Sequence, residues 1–178
     1  MTSEVTGNIL RRMLRASCFD THIFEEVEAD RSATKQALLV VAIVALSTGI
    51  ASLSTYGLVG LFMGVLVGIF GWAIWAYIVY LIGTKLLGTS DTDADWGQLA
   101  RTIGFAQSPG IFRALGALPT VGDTIFLVAS IWMLLTTVIA VRQALDYTST
   151  LRAVGVVLLG FIPYAILMTL ILTLVGAK

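Results

Sequence analysis

Long apolar runs separated by short polar stretches make up most of the chain after about residue 35. A run of roughly 20 apolar residues is long enough to cross the hydrocarbon core of a bilayer as an α-helix. A helix also satisfies its backbone hydrogen bonds within its own segment, as the bilayer interior requires. The pattern therefore predicts an all-α, polytopic membrane helix bundle of about five spanning helices, at about residues 36–53, 58–87, 99–118, 124–141 and 153–175.

The first 35 residues are mostly polar and predict a cytoplasmic amino-terminal segment (1–35) ahead of a membrane domain (36–178). Residues 8–18 have helical periodicity. The arginines of this stretch share one face: Arg11, Arg12 and Arg15. The apolar residues share the other: Ile9, Leu10, Met13 and Leu14. A short basic amphipathic helix is typical of one lying among lipid headgroups, with its arginines near anionic lipid. The alternative is a soluble helix packed on a partner or on the protein itself.

The second apolar run would measure about 45 Å as a helix, which exceeds a hydrocarbon core of about 30 Å. It must therefore tilt, kink or project beyond the membrane. Small residues recur along it at helical spacing: Gly60, Gly64, Gly68 and Gly71. Such a stripe lets another helix approach backbone to backbone. It predicts packing against a helix of this chain or, alternatively, against a second copy or another subunit.

The third apolar segment, 99–118, is the least regular because it contains Gln107 and Ser108 near its middle. Pro109 removes a helical hydrogen bond and predicts a kink or break there, and Pro163 predicts the same in the last span. Two interrupted helices have two possible explanations. One is that neighbouring helices satisfy the freed backbone groups, and the other is that the breaks line a small polar cavity, as in the discontinuous helices of transporters.

One charged residue, Arg113, falls inside this third segment. A charge within a membrane span is costly and is a candidate functional group. Arg113 is close enough to the end of its segment to extend to the outer interface, or to pair with Asp123 across the following turn. The other interpretation is that it contacts a lipid or a partner protein.

The basic residues predict the orientation. With a cytoplasmic amino terminus and five spans, nine of the eleven Lys and Arg residues fall on the cytoplasmic side, the exceptions being Arg113 and Lys178. This asymmetry is typical of the positive-inside rule. It predicts a multi-pass protein of the cell membrane with its carboxyl terminus on the outer side. It also favours 99–118 as a full span, because a re-entrant segment would place Arg142 and Arg152 outside.

Composition narrows the chemistry. Hydrophobic residues make up 57% of the 178 residues and charged residues 12%, about half the charged share of soluble domains. Cys18 and His22 are the only cysteine and histidine, which excludes histidine pairs and Cys–His couples. The acidic residues all lie outside the predicted spans, so no general base or proton carrier is available there. We therefore predict no enzyme activity, no metal, no cofactor and no nucleic-acid partner.

Residues 24–37 lead directly into the first span and resemble the corresponding segment of bacterial Yip-domain proteins. The stretch 96–109 (WGQLARTIGFAQSP), followed by Trp132 in the next span and Arg142 at its end, is similar to the pattern of that family. The likeness extends from about residue 20 to 175. It implies a five-span protein with a cytoplasmic amino terminus. Eukaryotic members interact with Rab GTPases in vesicle traffic and membrane shaping, whereas the compact form of this chain is similar to prokaryotic members.

These features predict a non-enzymatic scaffold or accessory subunit that acts in a membrane assembly or in membrane organisation. Its expected partners are membrane lipids and either another protein or further copies of the chain. The alternative is a small transporter or channel for an uncharged or lipid-like substrate, with a pathway near Pro109 and Pro163.

Overall fold

The computed structural model describes residues 2–90 and 92–176, and all regular secondary structure in these residues is helical. The α-helices are α1 (Thr2–Ser17), α2 (Thr21–Ala29), α3 (Ala33–Leu81), α4 (Trp96–Ala106), α5 (Gly122–Ala144) and α6 (Thr150–Gly176). A π-helical turn (Ile82–Leu86) follows α3, and a 3-10 helix (Ser108–Ala117) follows α4. The predicted all-α membrane helix bundle is confirmed.

The helix α3 consists of two arms that meet at Gly57. This glycine has φ 59° and ψ −152°, a backbone conformation that residues with a Cβ rarely adopt. The first arm is Ala33–Leu53, and the second arm, which includes the π-helical turn, is Tyr56–Leu86. The chain reverses between the two arms. Gly64 of the second arm faces Gly49 of the first, and Gly68, further along the second arm, faces the earlier residue Ala45.

Within residues 2–90 and 92–176, four helical segments are long and apolar enough to cross a membrane: the first arm, the second arm, α5 and residues Thr150–Ile171 of α6. They correspond to four of the five predicted spans. The exception is 99–118, which is not one continuous helix. There α4 ends at Ala106 and the chain continues as a 3-10 helix, with Pro109 in its first turn.

We refer to α4 together with the 3-10 helix as the broken segment. It runs in the same direction as the first arm and stays beside it, since Gly104 faces Ala37 and Gly116 faces Ala51. An α-helix rises 1.5 Å per residue and a 3-10 helix about 2.0 Å, so the broken segment is about 36 Å long. That length matches a hydrocarbon core of about 30 Å. The break therefore changes the helix type without shortening the segment below membrane thickness.

The short helix α1 packs on the broken segment and reaches the middle of α5, where Trp132 contacts Ser17, whereas α2 packs near the start of α4 and the end of α5. Ile23, Phe24 and Val27 of α2 are completely buried there. The predicted arrangement of α1, with one apolar and one basic face, needs correction. Its apolar residues divide into an inner group, Ile9 and Met13, and an exposed outer group, Leu10 and Leu14.

Candidate functional site

The break between α4 and the 3-10 helix is satisfied by neighbouring side chains. The hydroxyl of Thr136 on α5 donates to the carbonyl of Ala106 over 2.6 Å. The hydroxyl of Ser108 donates to the carbonyl of Phe105, also over 2.6 Å. Both hydroxyl-bearing residues are buried, as is Pro109. The proline therefore ends α4 without leaving the carbonyls of Phe105 and Ala106 unpaired in an apolar environment.

A cavity of about 320 Å³ lies beside this break. It is enclosed by both arms of α3, the broken segment, α5 and α6. Most of its lining is apolar: Val44, Ala45, Gly64, Val67, Gly68, Gly71, Trp72, Trp75, Ile103, Met133, Leu134 and Phe161. The polar side chains in the lining are Thr48, Gln107, Arg113, Ser130, Thr137 and Tyr164. Of the residues predicted to kink a helix or line a cavity, only Gln107 contributes to this wall.

Pro163 lies outside the cavity. It is exposed on the surface of α6, and the helix continues through it from Thr150 to Gly176. The adjacent Tyr164 lines the cavity instead, and its hydroxyl would be 2.7 Å from a Cβ added at Gly71. Tyr164 was not among the predicted site residues, although its place next to a proline in a span was a usable signal.

Arg113 points into the bundle. Its Nη2 donates to the hydroxyl of Ser130 over 2.9 Å, and its guanidinium carbon lies 4.8 Å from the centre of the Phe126 ring. Its Nε is buried and has no hydrogen-bond partner. The ion pairs among the described residues do not include Arg113, so the predicted pairing with Asp123 is not formed. The predicted extension to the outer interface is also replaced by this inward position.

Trp72 is a second cavity residue with an unused donor. Its side chain is in the second arm and only 9% of the residue is exposed. Its indole Nε1 is buried and has no hydrogen-bond partner. A buried N–H group without an acceptor is costly in an apolar environment. The cavity wall therefore includes two such donors, one on Trp72 and one on Arg113.

At the other end of the broken segment, α1 and α2 form what we call the platform. Arg12 is its centre, with 6% of the residue exposed. Its guanidinium donates to Glu26 over 2.9 Å, to Asp30 over 2.9 Å and to Gln36 over 3.0 Å. Gln36 belongs to the first arm, so the network connects both short helices to the membrane domain.

Arg15 belongs to the same network, whereas Arg11 does not. Arg15 donates to Asp20 and to Glu26, each over 2.7 Å. The hydrogen bond from Arg15 lowers the pKa of the Asp20 carboxyl below its ordinary value. Arg11 is exposed. Of the three arginines of α1 that were predicted to lie near lipid, Arg11 is thus the one whose side chain points outward from the protein.

The platform is also attached to α4. The guanidinium of Arg101 donates to the carbonyls of Val27 and Glu28, with 3.0 Å to the former. The side chain of Glu28 accepts from Gln98 over 3.2 Å. Burial raises the pKa of the Glu28 carboxyl to about 7, and the nearby charge of Asp146 adds to the shift.

The glycine stripe of the second arm packs within the chain. A Cβ at Gly64 would lie 2.9 Å from the Cα of Gly49, and one at Gly68 would lie 2.6 Å from the Cβ of Ala45. Such distances leave no room for a side chain. Gly71 meets Tyr164 of α6, and Gly60 meets Tyr56 one turn earlier. Each glycine of the predicted stripe therefore has a neighbour in its own chain.

Comparison with known proteins supports the family resemblance. No curated protein and no solved structure gives a significant match. The model of the Yip1 domain matches residues 20–172, which include α2, both arms of α3, the broken segment, α5 and most of α6. The chain is therefore a multi-pass integral membrane protein that belongs to the Yip1 domain family.

Proposed function

We propose that the protein is a non-enzymatic scaffold or accessory subunit of a membrane assembly, and that its platform binds the partner protein. Membership of the Yip1 domain family supports an integral membrane protein but does not specify the partner. The proposal depends on one observation, which is that the platform is attached to the membrane domain at several separate points.

Contacts from both short helices make this attachment. Arg12 bonds to Gln36 of the first arm, and Arg101 of α4 bonds to the end of α2. The indole of Trp132 donates to the carbonyl of Ser17 over 2.8 Å, and the amide of Gln143 donates to Glu25 over 2.9 Å. A surface held in place before binding loses little conformational entropy when a partner docks. This favours a docking role over a freely moving tail.

Within residues 2–90 and 92–176, no group of three or more His, Cys, Asp or Glu residues is arranged to hold a metal ion. The polar side chains around the cavity are hydroxyls, an amide and one guanidinium. None of these is an ordinary general base at neutral pH.

We further propose five crossings, with the amino terminus cytoplasmic and the carboxyl terminus on the outer side of the cell membrane. The broken segment supports this, because it lies parallel to the first arm from Gly104 beside Ala37 to Gly116 beside Ala51. On the other flank it is antiparallel to α5, since Ala106 meets Thr136 and Arg113 meets Ser130. A re-entrant segment would turn back before reaching the far end of both neighbours.

Site-specific photo-cross-linking in native membranes tests the scaffold role. We would place the cross-linker at Ala29, which is exposed on the platform, and in a matched variant at Leu127, which is exposed on α5. We expect a defined protein adduct from position 29 and lipid adducts from position 127. The scaffold proposal fails if position 29 gives no protein adduct and the chain purifies from mild detergent as a lone monomer.

The cavity favours a second candidate function, transport of an uncharged or lipid-like substrate along the broken segment. Gln107 lies in its wall, beside the break in the helix. Reconstituted liposomes would report flux of a fluorescent lipid between leaflets, with the Gln107→Leu variant as comparison. Flux equal to that of empty vesicles would eliminate this function.

A further inference from the structure

The cavity beside the broken segment carries a positive charge that its own wall does not neutralise. Arg113 is charged, and the lining residues include no Asp or Glu. Charged side chains inside membrane segments normally pair with an opposite charge or reach the interface. Arg113 does neither, because its polar contact is the neutral hydroxyl of Ser130. The cavity therefore favours an anionic occupant.

The same wall includes two buried hydrogen-bond donors that have no partner. The Nε of Arg113 and the Nε1 of Trp72 are both buried and unpartnered. Neither group can accept a hydrogen bond, so an occupant that satisfies them must supply acceptor atoms. Carboxylate and phosphate oxygens provide both the acceptors and the negative charge, and they form short, strong bonds with a guanidinium.

The remainder of the wall is suited to hydrocarbon. Phe161 and Leu134 line the cavity and are also exposed on the outer surface of the bundle, by 50% and 37% respectively. The cavity therefore reaches the surface that faces lipid. A volume of about 320 Å³ is at the small end for ligand sites, which run from about 300 to 1,000 Å³. It suits a head group with the adjoining part of one acyl chain.

We propose that this cavity binds the anionic head group of a membrane amphiphile, with Arg113 as its ionic partner and the indole of Trp72 as a hydrogen-bond donor. The acyl chain would leave past Phe161 and Leu134 towards the bilayer. The shared chemistry of the ligand is an oxyanion, either carboxylate or phosphate, joined to an apolar chain. This site is separate from the platform and does not depend on the scaffold role.

Native mass spectrometry of the full chain in a neutral detergent tests the proposal with four probes. Dodecanoate and dodecyl phosphate share one apolar chain and differ in the anionic head. Dodecanol has the same chain without charge, and inorganic phosphate is the anion without a chain. We expect one equivalent of either dodecanoate or dodecyl phosphate to bind, and at least tenfold weaker binding of dodecanol and of inorganic phosphate.

Variants assign the binding to the cavity. Arg113→Gln should weaken binding of the anionic amphiphile by tenfold or more, and Trp72→Phe should weaken it by about tenfold, because each loses a bond to a charged group. Arg113→Lys keeps the charge and should retain part of the affinity, which separates loss of binding from loss of folding. Arg152→Gln is the control, since this exposed arginine lies over the ring of Tyr147 and outside the cavity.

Two results would overturn the proposal. The first is equal binding of dodecanol and dodecanoate, which would remove the need for a charge. The second is unchanged affinity in a folded Arg113→Gln variant, which would place the amphiphile elsewhere. Inorganic phosphate that binds as tightly as dodecyl phosphate would likewise contradict a site for an amphiphile and indicate a site for a free anion.

Discussion

Arg11 and Arg12 are adjacent in the chain and have opposite environments. Arg12 is buried against Glu26, Asp30 and Gln36, whereas Arg11 is exposed. Removal of the Arg12 guanidinium leaves the carboxylates of Glu26 and Asp30 without that partner, which is destabilising. The partner carboxylates are themselves partly exposed, so water offsets some of that loss.

Replacing these two arginines gives the first prediction. Arg12→Ala should lower the free energy of unfolding by about 2 kcal/mol, the range for hydrogen bonds to charged groups. Arg11→Ala, the matched control, should change it by less than about 0.5 kcal/mol. Reversible unfolding in mixed detergent micelles measures both values. Equal effects of the two substitutions would refute the central role of Arg12 in the platform.

Glu28 gives a prediction about pH. The pKa of its carboxyl in the folded protein is about 7, above its ordinary value of 4.5. Between these two values the folded state binds more protons than the unfolded state, so stability should fall as the pH rises from about 4.5 to 7. Glu28→Gln removes this group and should flatten that part of the stability curve.

Unfolding midpoints measured at intervals across this pH window would check the Glu28 prediction. Asp123→Asn is a suitable control because Asp123 is exposed at the start of α5, at the other end of the bundle. This control should keep the slope of the native protein. A slope that survives in Glu28→Gln would assign the pH dependence to a different group.

At the scale of elements, the end of α4 depends on a side chain from another helix. Thr136 donates to the carbonyl of Ala106, while its neighbour Thr137 donates to Met133 within α5. Thr136→Val should therefore destabilise the protein by about 1–2 kcal/mol, because it leaves a buried carbonyl unpaired. Thr137→Val removes only a bond within its own helix and should have a smaller effect.

The same unfolding assay compares these two variants directly. The substitutions are identical in chemistry and adjacent in sequence, so a difference between them reports the contact with α4. If Thr137→Val is as harmful as Thr136→Val or more so, the bond from Thr136 to Ala106 contributes little and this account of the break is contradicted.

Much of this architecture could be predicted from the sequence because it depends on local patterns. The length of the apolar runs gave four spans within a few residues, and Pro109 indicated where the broken segment changes its helix type. Asp95 caps α4 in a capping box with Gln98, which is likewise a local pattern of the sequence.

The direction of Arg113 could not be predicted, because it is decided by packing between helices. Its position in the sequence allowed contact with the interface or with Asp123, and both require the side chain to point outward. In the structure the side chain points towards Ser130 and Phe126 of α5 instead. The two faces of α1 were misassigned for the same reason, since an amphipathic pattern does not say which apolar face meets protein.

At the scale of the whole molecule, the number of crossings determines which loops share a side. In a Cys18→Ser background, single cysteines at Val121 and Ser149 would lie in the two loops on either side of α5; both residues are exposed. With five crossings, an impermeant maleimide added to intact cells should label position 121. Position 149 should be labelled only after permeabilisation. The reverse pattern would contradict five crossings that start from a cytoplasmic amino terminus.

The large rise per residue of the 3-10 helix bears on which side of the membrane the carboxyl terminus lies. Its ten residues extend about 20 Å, a distance that would need about thirteen residues of α-helix. The described part of the chain has four long continuous apolar helices, an even number that alone would put both termini in the same compartment. With the broken segment included the number is odd. A reporter enzyme fused after α6 and active only in the cytoplasm should then be silent, although the protein is inserted correctly.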